Sequence, residues 1–233
     1  MDLQGKSVLI TGGSKRVGAV IAAELAYGGC RVIVHCREKS LEAEKFTAGL
    51  PGNGHRLLAA DLSDETAVGN LSDAAGEIDL LVNCAAVFYR PGSLEDIAAA
   101  ELYRRVNFLA PQLLLEKFFA SGRSSLAAVN ITDSAALLPG SGAYWESKRQ
   151  LNELTVKLAG PWAERDCRIN AVAPGPMIPP PWAPASRMEK TLPLIPLHRP
   201  AAPADLAAMV KFLLQCDSMT GAVIPLDCGM SAG

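Results

Sequence analysis

Seven short runs recur along the chain in which apolar residues are not spaced at every second position but fill the whole run. They are SVLI (7–10), RVIVHC (31–36), HRLLAA (55–60), DLLVNCAA (79–86), LAAVNIT (126–132), RINAVA (168–173) and AVIPLD (222–227). A strand with one wet face alternates, whereas a strand covered on both faces does not. Amphipathic stretches such as AVIAAELAYGG, LLLEKFFASG and DLAAMVKFLLQC lie between these runs, the first two closed by glycines of the kind that end helices. Strand and helix in alternation predict an α/β fold: a doubly wound parallel sheet of about seven strands with helices on both faces. Its ligand crevice lies at the carboxyl ends of the strands. Residues 1–233 are expected to form a single domain. The tract 174–203 carries Pro179, Pro180 and Pro181, which forbid a continuous helix or a central strand, and an irregular stretch of this length predicts a substrate loop.

A formal charge of -2 gives no electrostatic support to a nucleic-acid or membrane-surface role, so any anion must be met locally. Six cysteines are scattered with no C-x-x-C pair, which favours reduced core thiols over disulfides or a metal site; no metal ligation is expected. The amino-terminal apolar run is too short for a signal peptide, and no stretch approaches a membrane span, so a cytoplasmic location and a small-molecule partner are expected.

TGGSKRVG, residues 11–18, sits where the first run turns into the first amphipathic stretch. Gly12 and Gly18 stand where a phosphate-cradling turn needs them. A helix starting there offers free N–H groups and a positive dipole end to a pyrophosphate. Arg16 replaces the expected middle glycine. At the end of the second run, where an acid would hold ribose hydroxyls, the chain has Arg37, with Lys15 and Arg16 able to approach from the turn. Guanidinium forks suit phosphate oxygens, so the pattern favours a 2′-phosphate and therefore NADP(H). Asp61, ending the third run, is placed to meet the adenine edge, or else to serve a helix start.

YWESK, residues 144–148, puts Tyr144 and Lys148 at i and i+4, on one face if residues 142–165 are helical. An amine beside a phenol favours the phenolate and lowers the tyrosine pKa. Tyr144 then becomes a candidate proton donor, with Lys148 as its electrostatic partner.

With these motifs together, the chain resembles the short-chain dehydrogenase/reductase family over essentially its whole length. The resemblance rests on TGGSKRVG, DL at 61–62, LVNCAA, RVNFLAP, VNITD before YWESK, RINAVAPG and TGAVIPLDCG. It implies a Rossmann-type fold, a homotetramer, Tyr144 as acid/base, Lys148 on the nicotinamide ribose, and Asn107 supporting a water relay. It also implies cofactor contacts from Ser14, Val17, Leu62, Asn83, Pro174, Gly175 and Met177. The family's serine does not carry over: Asp133, flanked by Thr132 and Ser134, stands in its place, eleven residues before Tyr144. In that substitution, in the KR of the turn, in NCAAVFY and in TLPL (191–194), the chain is similar to the pteridine reductase branch. That branch implies Phe88 stacked on a pterin ring and Arg16 shared between the pyrophosphate and the substrate. The alternatives are an NADPH-dependent reductase of another carbonyl compound (a 3-oxoacyl thioester, ketone or sugar) and an inactive dinucleotide binder. The last is suggested by NCAA, the missing serine and Pro179.

Overall fold

Each of the seven apolar runs becomes a strand. In the computed structural model, residues 1–89, 96–140, 142–184 and 186–232 are described. The order is β1 (Ser7–Thr11), α1 (Arg16–Tyr27), β2 (Arg31–Cys36), α2 (Leu41–Ala48), β3 (Arg56–Ala59), α3 (Glu65–Ala75), β4 (Leu80–Asn83), α4 (Asp96–Arg104), a π turn (Arg105–Leu109), α5 (Ala110–Ala120), β5 (Ala127–Ile131), α6 (Ala143–Ala163), β6 (Arg168–Pro174), α7 (Ser186–Thr191), α8 (Pro203–Gln215) and β7 (Val223–Leu226). The strands pair in the order β3-β2-β1-β4-β5-β6-β7, and every pairing is parallel. This is a Rossmann-like α/β fold.

The wholly apolar strands serve two cores at once. Val8, Ile10, Val32, Val34 and Val82 face α1 and α8, where Ile21, Leu25, Leu206 and Val210 meet them. Leu9, Ile33 and Leu81, the alternate positions, face Val68, Leu71, Leu115, Phe118 and Trp162 on the other side. Fully burying such a side chain stabilises by about 1.5–3 kcal/mol, so a polar residue in either register would cost one of the two cores. The edge strands β3 and β7 are only part-buried. Pro225 is tolerated in β7 because an edge strand can leave one N–H row unpaired.

The tract 174–203, which includes Ala185 outside the described residues, is not irregular throughout. α7 and a 3-10 turn (Leu192–Leu194) form within it. Prolines are absent between Pro184 and Pro193, and SRMEKT is made largely of helix-compatible residues.

The strand order reverses between β1 and β4, so the turns leaving these strands diverge and open a crevice at their carboxyl ends. Thr11 is in register with Asn83, and Asn83 with Asn130, which sets one row of polar side chains along its floor.

Candidate active site at the carboxyl ends of the strands

The turn from β1 into α1 is built by close approach. A Cβ on Gly18 would lie 2.1 Å from the Gly12 carbonyl oxygen, and one on Gly12 would lie 2.9 Å from Ala85 Cα. Thr11 Oγ1 ties this turn to the segment after β4 by accepting the N–H groups of Cys84 and Ala85 at 3.0 and 3.1 Å. Lys15, the residue before α1, makes no side-chain cap. The first N–H groups of the helix, at Arg16, Val17 and Gly18, are therefore left to point into the crevice beside Ser14.

His35 braces the same turn from β2. The Gly12 N–H donates to its Nδ1 at 3.1 Å, which leaves the proton on Nε2 to be donated to the Ala60 carbonyl at 3.0 Å. Burial pushes its pKa below the ordinary value, with the Ala60 bond and Asp61 opposing the shift. The neutral ring's contribution to stability is complete above the unfolded value of about 6.5 and is lost as pH falls through the folded value. Wild type should therefore lose more stability than His35→Asn between about pH 7.5 and about pH 5.5, read from urea midpoints. Equal losses would remove His35 as the source.

Arg37 and Asp61 lie beyond His35 at the rim. Arg37 is exposed and pairs with Glu38 at 3.0 Å. Asp61 accepts the N–H and the hydroxyl of Ser63 at 2.9 and 2.7 Å, which with Arg37 and His35 nearby hold its carboxyl below the usual range. Leu62 is buried beside it.

The crevice brings Asn107, Asp133, Tyr144 and Lys148 together. Asn107, fully buried in the π turn, accepts the Val87 N–H at 2.8 Å and donates to the Val87 carbonyl and to Ser147 Oγ at 3.2 and 3.3 Å. Tyr144 and Lys148 share the inner face of α6, as the i, i+4 spacing predicts. The Tyr144 hydroxyl donates to Asp133 Oδ2 at 3.1 Å, while Asp133 Oδ1 accepts the Ala135 N–H at 2.9 Å. Lys148 Nζ donates to the Ile131 carbonyl at 2.9 Å.

Here the sequence expectation is corrected: the Tyr144 pKa is raised well above the ordinary value, not lowered. Burial is the first cause, then the charge of Asp133 and its hydrogen bond. Burial likewise raises the Asp133 carboxyl, against the Ala135 N–H, Lys148 and Tyr144, and lowers Lys148. The amine acts on Asp133 rather than on the phenol.

Phe88 stands with its ring centroid 4.6 Å from that of Tyr144. Arg16, with φ of 52°, ties its guanidinium to the segment after β6: its Nη2 donates to the carbonyls of Ile178 and Pro179, both at 2.9 Å. Pro174 ends β6 and Gly175 packs against Asp227, which leads the chain through Met177 to these carbonyls. Asn83 donates to Asn130 at 2.9 Å, and its own oxygen is buried without a partner.

Sequence reasoning missed His35, Tyr103, Ser147 and Trp182. A histidine ending an apolar strand, and a tryptophan inside a proline tract, were signals available for two of them. Ser147 donates to the Tyr144 carbonyl at 2.6 Å and lies between Tyr144 and Lys148 in sequence. Tyr103 packs edge-on to Tyr144 at 5.7 Å from α4, which no local pattern announces.

A family profile described as "Enoyl-(Acyl carrier protein) reductase" matches residues 13–231. An uncharacterized oxidoreductase of Methylorubrum extorquens is 32% identical across 98% of both chains. A solved short chain dehydrogenase/reductase family protein superposes with a TM-score of 0.87 at 29% identity, covering all of both chains. FolM Alternative dihydrofolate reductase 1 from Brucella suis, solved in complex with NADP, gives 0.87 at 30% identity over 100% of this chain and 97% of its own. With the sheet order and the glycine turn, these matches place the chain in the short-chain dehydrogenase/reductase family, as an oxidoreductase that uses a nicotinamide dinucleotide.

Proposed function

We propose that the chain is an NADPH-dependent reductase of a pterin or dihydrofolate-like substrate. The observation that carries this reading is the Tyr144 hydroxyl bonded to Asp133 directly beside the Phe88 ring. A proton donor with an acid behind it, facing an aromatic wall, suits reduction of a flat heteroaromatic C=N bond. The likeness to the Brucella suis FolM supports the substrate class.

The residues present fit the cofactor. The uncapped start of α1 and the cradle that a Gly18 Cβ would fill suit the pyrophosphate, with Gly12, Ser14, Lys15, Val17 and Gly18 around it. Asp61 and Leu62 would border the adenine, and Asn83, Tyr144, Lys148, Pro174, Gly175 and Met177 the nicotinamide half. When bound, NADPH supplies the hydride.

The protein's own residues manage the proton. Tyr144, held neutral by its raised pKa, donates its hydroxyl proton to the substrate nitrogen as the adjacent carbon is reduced. A phenolate beside a carboxylate would be repelled, so this step uses a protonated Asp133, with the resting Tyr144–Asp133 hydrogen bond reversed, and that proton passes to Tyr144 Oη. The resulting carboxylate is met by the Ala135 N–H and the field of Lys148. Asn107 fixes the backbone of Val87, next to Phe88, and so holds the aromatic wall.

NADPH reduction of biopterin, dihydrobiopterin and dihydrofolate, compared with simple ketones and 3-oxoacyl thioesters, tests the substrate class. Pterin turnover that falls in Phe88→Ala is expected. The description of the matching family profile favours one rival, an acyl-carrier thioester; turnover of thioesters with none of the pterins would establish it in place of the pterin reading, and turnover of ketones alone would establish a reductase of another carbonyl compound.

Cofactor choice rests on Arg37. Its exposed pair with Glu38 is of a kind worth about 0–1 kcal/mol, so a 2′-phosphate displaces it readily. In nicotinamide fluorescence titrations, Arg37→Asp should reduce the preference for NADPH over NADH by about tenfold or more. Glu38→Gln should increase it. No change in either variant would assign the preference elsewhere.

A further inference from the structure

Trp182 and Arg187, from the segment after β6, pack around Phe88 and take no part in the proton steps. The Trp182 indole N–H donates to the Phe88 carbonyl at 3.0 Å, and the two rings lie 5.6 Å apart. Arg187, in α7, holds its guanidinium carbon 5.0 Å from the Trp182 ring centroid and 6.0 Å from that of Phe88. An aromatic face attracts a guanidinium without using its N–H donors, so the group is positioned while its hydrogen-bonding capacity stays unspent. Arg187 is exposed, and among the described residues no carboxylate pairs with it, although Glu189 shares its short helix.

The path from the reacting hydroxyl to this cation is short. Phe88 packs against Tyr144, at 4.6 Å between centroids, and also lies 6.0 Å from the Arg187 guanidinium carbon. A planar group against Phe88 would therefore have close by a positioned guanidinium that, among the described residues, no carboxylate pairs with. Guanidinium forks select carboxylates by paired, charge-assisted hydrogen bonds.

We propose that Arg187 is a specificity-determining residue that reads a carboxylate carried on a spacer from the reducible group, so that acidic substrates are preferred over their neutral counterparts. The identity of the reducible group as a pterin rests on the reading above; the preference for an acid does not.

The test uses the full chain with NADPH and two matched pairs: folic acid with its dimethyl ester, and levulinate with methyl levulinate. Affinity is read from tryptophan quenching and, where turnover occurs, from KM. Wild type should favour the acid of a pair by about tenfold, and Arg187→Ala should lose that preference by weakening the acid alone. Arg187→Lys should keep part of it. Raising salt from about 50 mM to about 500 mM should shrink the wild-type preference, because the cation is exposed. Binding of folic acid and its ester alike, with no selective effect of Arg187→Ala, overturns the inference and leaves the pterin reading standing. A preference for levulinate that Arg187→Ala abolishes, with neither folate bound, removes the pterin reading and supports Arg187. No acid preference in either pair overturns the inference outright.

Discussion

Tyr144→Phe should lower kcat by roughly 10²–10⁴-fold, the usual contribution of a positioned general acid. The substitution removes only the hydroxyl. The ring still packs against Phe88 and Tyr103, so the wall of the crevice survives. NADPH affinity should change by less than about threefold, since the lost group acts in the transition state rather than in binding the dinucleotide. Asp133→Asn supplies the companion measurement. In wild type the proton on Asp133 is needed, so turnover should fall as pH rises through its raised pKa. In Asp133→Asn that limb should vanish along with most of the rate. Turnover retained in Tyr144→Phe, or the same alkaline limb in Asp133→Asn, would assign the proton to another group.

Gly18→Ala is the second large effect, and it acts through backbone. The added methyl carbon would lie 2.1 Å from the Gly12 oxygen, 2.9 Å from its carbonyl carbon and 3.1 Å from Gly13 Cα. None of these is a flexible side chain that can swing away. Alanine is about 1 kcal/mol better than glycine inside a helix, but forcing atoms into a packed site typically costs about 1–3 kcal/mol. Here the yielding atoms form the phosphate turn itself. Loss of dinucleotide binding by fluorescence titration and a lower melting temperature are both expected. Gly69→Ala in α3 is the control: its Cβ meets only the end of Lys117, at 3.7 Å, so the same change there should stabilise. Normal NADPH binding by Gly18→Ala would show that the turn can open without consequence.

The sheet was legible because its signal is redundant. Seven runs apolar at consecutive positions, such as Val8, Leu9 and Ile10, have only one arrangement that buries both sets of side chains. Tyr144 and Lys148 were legible for the same kind of reason, since four residues along a helix share a face. Asp133 was harder, because the eleven residues to Tyr144 fold through a 3-10 turn (Ser134–Leu137) whose reach cannot be read from spacing. The direction of the tyrosine shift was misread because it depends on which charge is nearer: the lysine is close in sequence, but the carboxylate holds the hydroxyl. Arg16 was read toward ligands because its carbonyl partners lie more than 160 residues away in the chain. α7 was hidden by the prolines that flank it.

The segment leaving β6 is stitched down at two places, by Arg16 to the Ile178 and Pro179 carbonyls and by the Trp182 indole to Phe88. Each of these three bonds contributes about 0.5–1.5 kcal/mol net, so the lifted form would make up roughly a tenth of molecules or fewer. Traffic into and out of the crevice would then run through that small fraction. Cutting one stitch, as in Arg16→Ala, would enlarge that fraction and leave the chemistry less sheltered from water.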